Sequence, residues 1–309
     1  MARALEYLTQ DQVDSFYRDG YLVLPNFVDE HTTSALLARS KQLLDDLDVD
    51  THPMTRFTTG DDNHVGDDYF LSSGDKIRYF FEEDAVADGR LKHLAVNKIG
   101  HGLHLRDPLF RRVTLENDVL RAVSRDLGFH RDPVALQSMV ITKQPHIGGE
   151  VSEHIDSCYT SPPTALGVWI ALEQCTSENG ALSFLPGSHR ALARTGGVAR
   201  RFVRLPTGGT GFERIAGPPR WAVGAVGAPR WTVGVDGHAK VHGAYVEVPC
   251  EAGTALLIHG AVLHRSPRNA GARTRFAYTF HMVENPGRAV YDARNWLKPG
   301  VGGFARVFG

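Results

Sequence analysis

Two apolar runs, Ala255-Leu-Leu-Ile-His259 and Arg275-Phe-Ala-Tyr-Thr-Phe-His-Met-Val283, set the pattern of the C-terminal half of this chain. Each is short, and glycine, proline or asparagine residues separate it from its neighbours, which favours buried β-strands over helices. Runs of the same kind occupy residues 135–143, 165–173, 181–185 and 244–248. Many strands with turn residues between them predict a β-sandwich or barrel.

The N-terminal part of the chain is predicted to support this β-core with helices. Residues 30–46 and 107–127 carry apolar side chains at helical spacing. We therefore expect a helical and strand-containing support over residues 1–133 and a β-core over 134–285. No linker-like segment separates the two parts, so residues 1–309 are predicted to form one domain.

Local signals near the N-terminus predict individual elements. Thr9 and Gln12 have the spacing of a capping box, and Gly20 is placed to end the helix that follows. Residues 21–25 are predicted to form a short strand. Residues 70–81 are predicted to be mostly strand around a turn.

A glycine-rich stretch interrupts the series of strands at about residues 190–245. Within it, Pro219-Arg-Trp-Ala-Val-Gly224 recurs as Pro229-Arg-Trp-Thr-Val-Gly234, and two copies are too few for a repeat fold. The stretch has little apolar surface to bury, so we expect an extended hairpin or a mobile lid over the site. Trp221 and Trp231 would either contact the substrate or pin this loop to the barrel.

Composition excludes several classes of function. The net charge is −1 at pH 7 with no block of lysine and arginine, so no nucleic-acid partner is expected. No run reaches the ~18 apolar residues of a membrane span, and no apolar signal-peptide core is present. Cys158, Cys175 and Cys250 lack metal-type spacing and predict buried or spare thiols, so a reducing, cytoplasmic location is expected.

The chemistry is concentrated in His154-Ile-Asp156 and in the segment from His264 to Arg275. Two histidines and one carboxylate are the facial set that holds non-haem Fe(II) and leaves positions open for other ligands. His154 and Asp156 would share a face at a strand end, because residues i and i+2 of a strand point the same way. Arg275 has the planar fork that binds a carboxylate, and Ser266 is placed to donate to the same group. These residues predict an iron site with an anchor for 2-oxoglutarate.

Other histidines compete for the metal role. His259 lies on the apolar run just before His264, but the eleven-residue offset to the arginine starts at His264. A second His-x-Asp occurs at His130-Arg-Asp132, where a polar, turn-like setting predicts a solvated loop. His146 and His189 are expected to be loop residues or to orient their neighbours.

Two other interpretations remain open from these residues alone. A zinc-dependent hydrolase on a cupin-like barrel would use the same His-Asp-His ligands with a bound water as nucleophile. Arg275 and Lys98 speak against it, since hydrolysis requires no anchor for an oxo acid. The other is a non-catalytic binding protein on the same fold. Its sign would be a broken ligand set, and the set here is complete.

Longer motifs run along nearly the whole chain. They include Tyr69-Phe-Leu-Ser-Ser-Gly-Asp-Lys-Ile-Arg78, Glu178-Asn-Gly-Ala-Leu-Ser-Phe-Leu-Pro-Gly-Ser-His189, and residues 143–150, 166–171 and 295–299. Through these motifs the chain resembles the phytanoyl-CoA dioxygenase family, and most closely its domain-containing protein 1 branch. Only residues 190–245 depart from the family pattern.

The resemblance implies a mainly β fold with flanking helices, whose core is a double-stranded β-helix of the jelly-roll, cupin-like kind. It implies a 2-oxoglutarate-dependent non-haem iron dioxygenase that uses Fe(II), 2-oxoglutarate and O₂ and releases succinate and CO₂. By matching family positions, Lys98, Met139 and Trp169 are expected to line the co-substrate beside Ser266 and Arg275.

The resemblance also bears on the reaction and the substrate. Related halogenases carry a small residue at the position of Asp156, so the aspartate favours oxygenation. Hydroxylation of a small organic or acyl substrate is the expected outcome. Desaturation, epoxidation or rearrangement would use the same iron site, and the sequence leaves the substrate and the oligomeric state open.

Overall fold

The computed structural model describes residues 4–49, 51–52, 68–82, 92–161, 163–190, 200–214, 231–233, 239–241, 243–300 and 302–308. Its α-helices are α1 (Gln10–Asp19), α2 (Glu30–Asp45), α3 (Asp68–Leu71), α4 (Leu103–Arg106), α5 (Pro108–Leu115) and α6 (Asp118–Leu127). Single 3₁₀ turns occupy Lys92–Ala95 and Asp156–Tyr159.

The first eight strands are β1 (Tyr21–Leu24), β2 (Ile77–Phe81), β3 (Val96–His101), β4 (Pro133–Lys143), β5 (Val151–His154), β6 (Leu166–Ala171), β7 (Leu182–Phe184) and β8 (Arg200–Arg204). The others are β9 (Thr210–Arg214), β10 (Trp231–Val233), β11 (Ala239–Val241), β12 (Val246–Val248), β13 (Ala255–His259), β14 (His264–Ser266), β15 (Arg275–Glu284) and β16 (Ala305–Arg306).

Two antiparallel sheets contain 12 of the 16 strands of the described chain. The larger runs in the order β1-β13-β6-β15-β4-β3-β2, with β16 beside β4, and the smaller runs β12-β7-β14-β5. An apolar layer that includes Trp169, Phe184 and Ile258 lies between the sheets. The prediction of a mainly β fold with flanking helices and a double-stranded β-helix core is confirmed.

Strand β15 shows how the larger sheet serves two environments. Successive side chains of a strand point to opposite faces. Phe276, Tyr278 and Phe280 belong to the outer apolar cluster, which also contains helix residues such as Leu36 and Phe110. The alternate residues Arg275, Thr279 and His281 line a cavity between the two sheets. The sheet therefore presents apolar side chains to the helices and polar or charged side chains to the cavity.

Helix α1 begins and ends as the sequence predicts. The side chains of Thr9 and Gln12 each accept a hydrogen bond from the other residue's backbone N–H, which completes the capping box. Gly20 ends the helix with φ 88°, a left-handed conformation that favours glycine. A Cβ at Gly20 would also lie 2.5 Å from Nδ1 of His189, so no larger residue fits without displacement.

The prediction of strand over residues 70–81 is wrong in its first half. Helix α3 covers Asp68–Leu71, and only Ile77–Phe81 form a strand. The indole ring of Trp296 stacks on Phe70, with ring centroids 4.6 Å apart. This contact comes from the far end of the chain, so no local pattern could have revealed it.

Part of the predicted insertion is described. Strands β8 and β9 pair as an antiparallel hairpin, and β10 pairs with β11. Phe202 on β8 is buried and lines the cavity between the sheets. Residues 215–230, with the first copy of the repeat and Trp221, lie outside the described residues, so the lid stays a prediction.

Among the helices in the described ranges, none is long and apolar enough to span a lipid bilayer. The assignment of residues 1–309 to one domain stays a prediction.

Replacing Phe280 by alanine tests the outer core. The Phe280 side chain is fully buried against the helices, and its removal leaves a cavity there. We expect the free energy of unfolding to fall by about 3–5 kcal/mol, measured by urea denaturation with circular dichroism. Val290→Ala is the control, because Val290 is 88% exposed and should change stability little. Equal effects of the two changes would contradict this assignment of the core.

Candidate active site

The residues that the sequence singles out converge on one cavity of about 170 Å³ between the two sheets. The smaller sheet and the turn after it contribute histidines and a carboxylate, and the larger sheet contributes an arginine and a lysine. All eight predicted site residues line the cavity: Lys98, Met139, His154, Asp156, Trp169, His264, Ser266 and Arg275.

The His-Asp-His set is assembled by two strands and one turn. His154 ends β5 and lies directly opposite His264, the first residue of β14. Asp156 begins the 3₁₀ turn that follows β5. Its Oδ1 lies 3.8 Å from Nε2 of His154 and 3.9 Å from Nε2 of His264. Because the potential ligand atoms lie within 4.8 Å of one another, all three can reach one metal ion.

Backbone carbonyls fix the orientation of both imidazoles. Nδ1 of His154 donates to the carbonyl of Ser152 at 2.8 Å, and Nδ1 of His264 donates to the carbonyl of Val262 at 3.0 Å. A proton on Nδ1 leaves the lone pair of Nε2 facing Asp156, as metal-binding histidines require. Burial lowers the pKa of His154 to about 4, so its imidazole is neutral at neutral pH.

His281 is a site residue that the sequence did not reveal. Its Nε2 lies 3.2 Å from Oδ2 of Asp156, on the side away from the other two imidazoles. Gly167 lies opposite His281 on β6, and a Cβ there would lie 3.5 Å from Oδ2 and 3.6 Å from Nε2. Gln137 on β4 places its Nε2 3.3 Å from Nδ1 of His281. An ionised Asp156 accepts from Nε2–H, so Gln137 donates to Nδ1 and selects that tautomer.

The carboxylate of Asp156 is held in its ionised form. Burial alone would raise its pKa, but the imidazoles of His281 and His264 outweigh burial and hold the pKa below the ordinary value. An ionised carboxylate is the form that binds a metal ion. Asp156 is thus ready as a ligand at neutral pH.

Arg275 is a buried cation with unused donors. Its side chain is 1% exposed, and its Nε and Nη1 have no hydrogen-bond partner among the residues that the structure describes. The ring of Trp169 lies beside it, with Cζ 5.3 Å from the ring centroid. A buried charge without hydrogen-bonded partners is costly. A ligand carboxylate in the cavity would satisfy these donors.

Lys98 adds a second buried basic side chain to the cavity, besides Arg275. It lies on β3 opposite Ile141 of β4 and lines the same cavity as Arg275. Burial lowers the pKa of Lys98 to about 7, while the negative charges of Glu82 and Asp156 partly oppose this effect. An anionic ligand would favour the protonated amine further.

Ser266 lines the cavity, but its hydroxyl is already engaged. Its Oγ donates to the carbonyl of Gly180 at 2.8 Å. The same oxygen keeps lone pairs that accept hydrogen bonds, so in this conformation Ser266 can only accept from a ligand. Its predicted donation to a ligand carboxylate would require the hydroxyl to rotate.

The competing histidines lie elsewhere. The ring of His259 packs against Phe129 and His189, with centroids 5.0 and 4.7 Å away, and none of these three residues lines the cavity. The prediction that His130 lies in a solvated loop is wrong. His130 is buried, and its Nε2 lies 2.6 Å from the carbonyl of Thr164, while the neighbouring Phe129 packs against the outer apolar cluster.

One end of the cavity is aromatic. Phe70, Phe202 and Trp296 line it together with Tyr159 and Leu136. The rings contact one another, as in the pair of Tyr159 and Phe202 with centroids 5.5 Å apart. These aromatic residues belong to an apolar cluster that also contains Val283. Val283 lies near the C-terminal end of β15, whereas Arg275 is its first residue. The cavity thus has a charged end and an apolar end, with Asp156 and His281 between them.

Comparisons with known proteins point to one family. The sequence profile of the phytanoyl-CoA dioxygenase (PhyH) family matches residues 16–277. Phytanoyl-CoA dioxygenase domain-containing protein 1 of Bos taurus is 41% identical, with 94% of this chain and 95% of that protein covered. A phytanoyl-CoA dioxygenase of Arabidopsis thaliana is 37% identical, with 94% of each chain covered.

Solved structures share the fold at low sequence identity. The epimerase SnoN in complex with Fe³⁺, alpha ketoglutarate and nogalamycin RO has a TM-score of 0.58 at 17% identity, covering 97% of this chain and 95% of its own. EctD from S. alaskensis with 2-oxoglutarate and 5-hydroxyectoine has a TM-score of 0.55 at 18% identity, covering 90% and 76%. Both likenesses support the double-stranded β-helix.

Replacing His264 by alanine tests the metal assignment. The change removes one of three candidate ligands, so Mn(II), a spectroscopic stand-in for Fe(II), should no longer bind measurably by titration calorimetry or electron paramagnetic resonance. His259→Ala is the matched control, because it lies five residues earlier in a separate buried cluster and should leave Mn(II) binding intact. If His264→Ala still bound Mn(II) and His259→Ala did not, His259 and not His264 would be the metal ligand.

Replacing His281 by alanine tests its hold on Asp156. Loss of the hydrogen bond should weaken Mn(II) binding by about 10–100-fold, as for other groups that orient metal ligands. His281→Gln carries an amide donor of similar reach and should recover part of the affinity. Unchanged Mn(II) affinity in the alanine variant would mean that His281 does not position the carboxylate.

Proposed function

The chain belongs to the phytanoyl-CoA dioxygenase family, and from that premise and the geometry of its cavity we propose that it is an Fe(II)- and 2-oxoglutarate-dependent dioxygenase. It would hydroxylate a small organic or acyl substrate and release succinate and CO₂. His154, Asp156 and His264 would hold the iron. Bound iron supplies the activation of O₂, which is coupled to the oxidation of 2-oxoglutarate.

The donor set suits this metal. Two neutral imidazole nitrogens and one carboxylate oxygen on one side of a cavity are the arrangement typical of non-haem Fe(II) oxygenases, and they leave room for further ligands. His281 would keep Asp156 in place by donating to its second oxygen. Gln137 would hold His281 in the tautomer that donates.

Arg275 is the observation that carries the proposal. Its buried donors face a cavity that also contains a metal-ligand set, and a dicarboxylic oxo acid would bring a carboxylate to them. The planar guanidinium would bind that carboxylate by two hydrogen bonds, and Trp169 would cover one face of the pair. Lys98 and Met139 would line the co-substrate between the anchor and the metal ligands.

A zinc-dependent hydrolase explains less of the same cavity. It would use the three ligands, but it would leave the buried charge of Arg275 without a purpose. A non-catalytic binding protein would have no need for a complete metal-ligand set. Among the structural neighbours, SnoN forms a complex with Fe³⁺ and alpha ketoglutarate, and EctD has been solved with 2-oxoglutarate, which supports the oxygenase.

The apolar end of the cavity is the proposed substrate site. Its aromatic wall would bind an apolar or acyl part of the substrate and keep water away from the metal ligands. Phe202 of β8 forms part of that wall, so the insertion would contribute to substrate choice.

The three cysteines carry no disulfide, which supports a reducing, cytoplasmic location.

Succinate release after anaerobic reconstitution with Fe(II) tests the reaction class. The protein should convert 2-oxoglutarate to succinate when air is admitted, and a substrate should raise the rate. His154→Ala and Asp156→Ala should remove this activity. A preparation that retains iron and consumes O₂ but forms no succinate would overturn the proposal.

Arg275→Ala tests the anchor. Loss of the buried cation should raise the apparent KM for 2-oxoglutarate by the equivalent of about 2–5 kcal/mol, roughly 30-fold or more. Mn(II) affinity without 2-oxoglutarate should change little. Arg273→Ala is the control, because Arg273 is an exposed neighbour that lies outside the cavity lining. Equal losses of Mn(II) and 2-oxoglutarate affinity would instead indicate a structural role for Arg275.

A further inference from the structure

Cys175 and Cys250 form an isolated antiparallel β-bridge that the proposed reaction does not use. They are distant in sequence, but each donates its backbone N–H to the other's carbonyl, at 2.8 and 3.0 Å. Gln174 and Glu251, their neighbours, add a side-chain hydrogen bond of 2.9 Å. The two cysteines are therefore held face to face by the backbone on both sides.

This geometry lies within the range of a disulfide. Residues that exchange two backbone hydrogen bonds in an antiparallel pair have Cα atoms about 5.5 Å apart. Disulfides span Cα separations of about 4.4–6.8 Å, and their Cβ atoms lie slightly closer together than those of unlinked cross-strand pairs. Sγ of Cys175 donates to the carbonyl of Glu173 at 3.5 Å, a contact that it gives up when it bonds to Cys250. A disulfide can form here with a small local shift of the two bridged segments.

The pair also adjoins the proposed carboxylate anchor. Cys175 belongs to the same apolar layer between the sheets as Trp169, and Cys250 packs against that layer. The guanidinium of Arg275 interacts electrostatically with both thiols. Any shift of the two bridged segments would therefore act on the surroundings of Arg275 and Trp169.

We propose that Cys175 and Cys250 are a modification site for a peroxide, which closes a disulfide beside Arg275 and weakens the binding of the oxo acid. The effect on the oxo acid rests on the proposed function. The formation of the disulfide does not.

The chemistry has a defined order. Cys250 is partly exposed, whereas Cys175 is 1% exposed. The neighbouring Cys175 side chain lowers the pKa of Cys250, and the positive charge of Arg275 acts in the same direction. The more accessible thiolate is the better nucleophile. Cys250 thus attacks the peroxide, and Cys175 is the resolving thiol.

Both steps balance. The Cys250 thiolate attacks one oxygen of hydrogen peroxide, so an S–O bond forms, the O–O bond breaks and hydroxide leaves with a proton from solvent as water. The sulfur of Cys175 then attacks the sulfenic acid sulfur. The S–S bond forms, the S–O bond breaks, and the hydroxyl group leaves with the proton of Cys175 as a second water. Two thiols are oxidised and one peroxide is reduced.

The disulfide would be readily reversible. A cross-strand disulfide between hydrogen-bonded residues departs from relaxed geometry, and such departures make the bond easier to reduce. Transient disulfides of this kind are the ones found in reducing compartments. The site would therefore respond to a rise in peroxide and recover with the thiol pool.

Mass spectrometry and ligand titration test both halves of the proposal. The full-length protein, loaded with Mn(II), is treated with hydrogen peroxide, alkylated and digested. A peptide pair linking Cys175 to Cys250 should appear and disappear again on treatment with dithiothreitol. Cys158→Ser should behave like the wild type, because Cys158 is a buried thiol whose Sγ donates to the carbonyl of Ile155 and takes no part in the pair. Cys175→Ser and Cys250→Ser should form no such link.

The affinity for 2-oxoglutarate is measured on the same samples. Oxidation should weaken it by at least about fivefold in wild type and in Cys158→Ser, with recovery on reduction, and should leave it unchanged in Cys175→Ser and Cys250→Ser. Absence of the linked peptide with normal 2-oxoglutarate binding would overturn the inference and leave the proposed function standing. The proposed function would be overturned instead if the disulfide formed reversibly but the reduced form of the protein did not bind 2-oxoglutarate. If the disulfide formed without a loss of affinity for 2-oxoglutarate, the proposed effect of oxidation on binding would be wrong.

Discussion

The two-residue period of strand β15 is the constraint on which the site depends. The strand lies in the middle of the larger sheet, between β6 and β4, and it is buried on both faces. Because its side chains alternate, one face must be apolar towards the helices while the other faces the cavity. A shift of register by one residue would turn Arg275 and His281 into the helical core and bring Phe276 and Phe280 into the cavity. The apolar core therefore fixes the chemistry of the site.

The site is also where the protein departs from ordinary packing. A protein interior favours apolar groups, yet this cavity contains a guanidinium, an amine and an ionised carboxylate. The carboxylate of Asp156 is compensated by the imidazoles around it. Nε and Nη1 of Arg275 have no hydrogen-bond partner within the described chain, so the folded protein retains a cost that a ligand can remove. Such a cost is tolerated where it serves binding.

The part of the site that could be predicted is the part that carries its own signal. His154 and Asp156 are two residues apart, and a histidine and an arginine at a fixed offset follow them. His281 carries no such signal. It lies inside the apolar run that predicts β15, and no neighbouring motif marks it as a site residue. Its contact with Asp156 exists only because β15 passes beneath the turn after β5. The error over residues 70–81 has the same origin, since the stacking of Phe70 on Trp296 joins two distant segments.

Patterns along the chain were enough to predict six strands of the C-terminal half, the caps of helix α1, the His-Asp-His set and Arg275 as the proposed carboxylate anchor. These features depend on local spacing, and local spacing is written along the chain. The support of Asp156 by His281, the burial of His130 and the pairing of Cys175 with Cys250 became visible only in the folded chain. Those outcomes depend on which strands become neighbours, because strand pairing brings together residues that no local pattern connects.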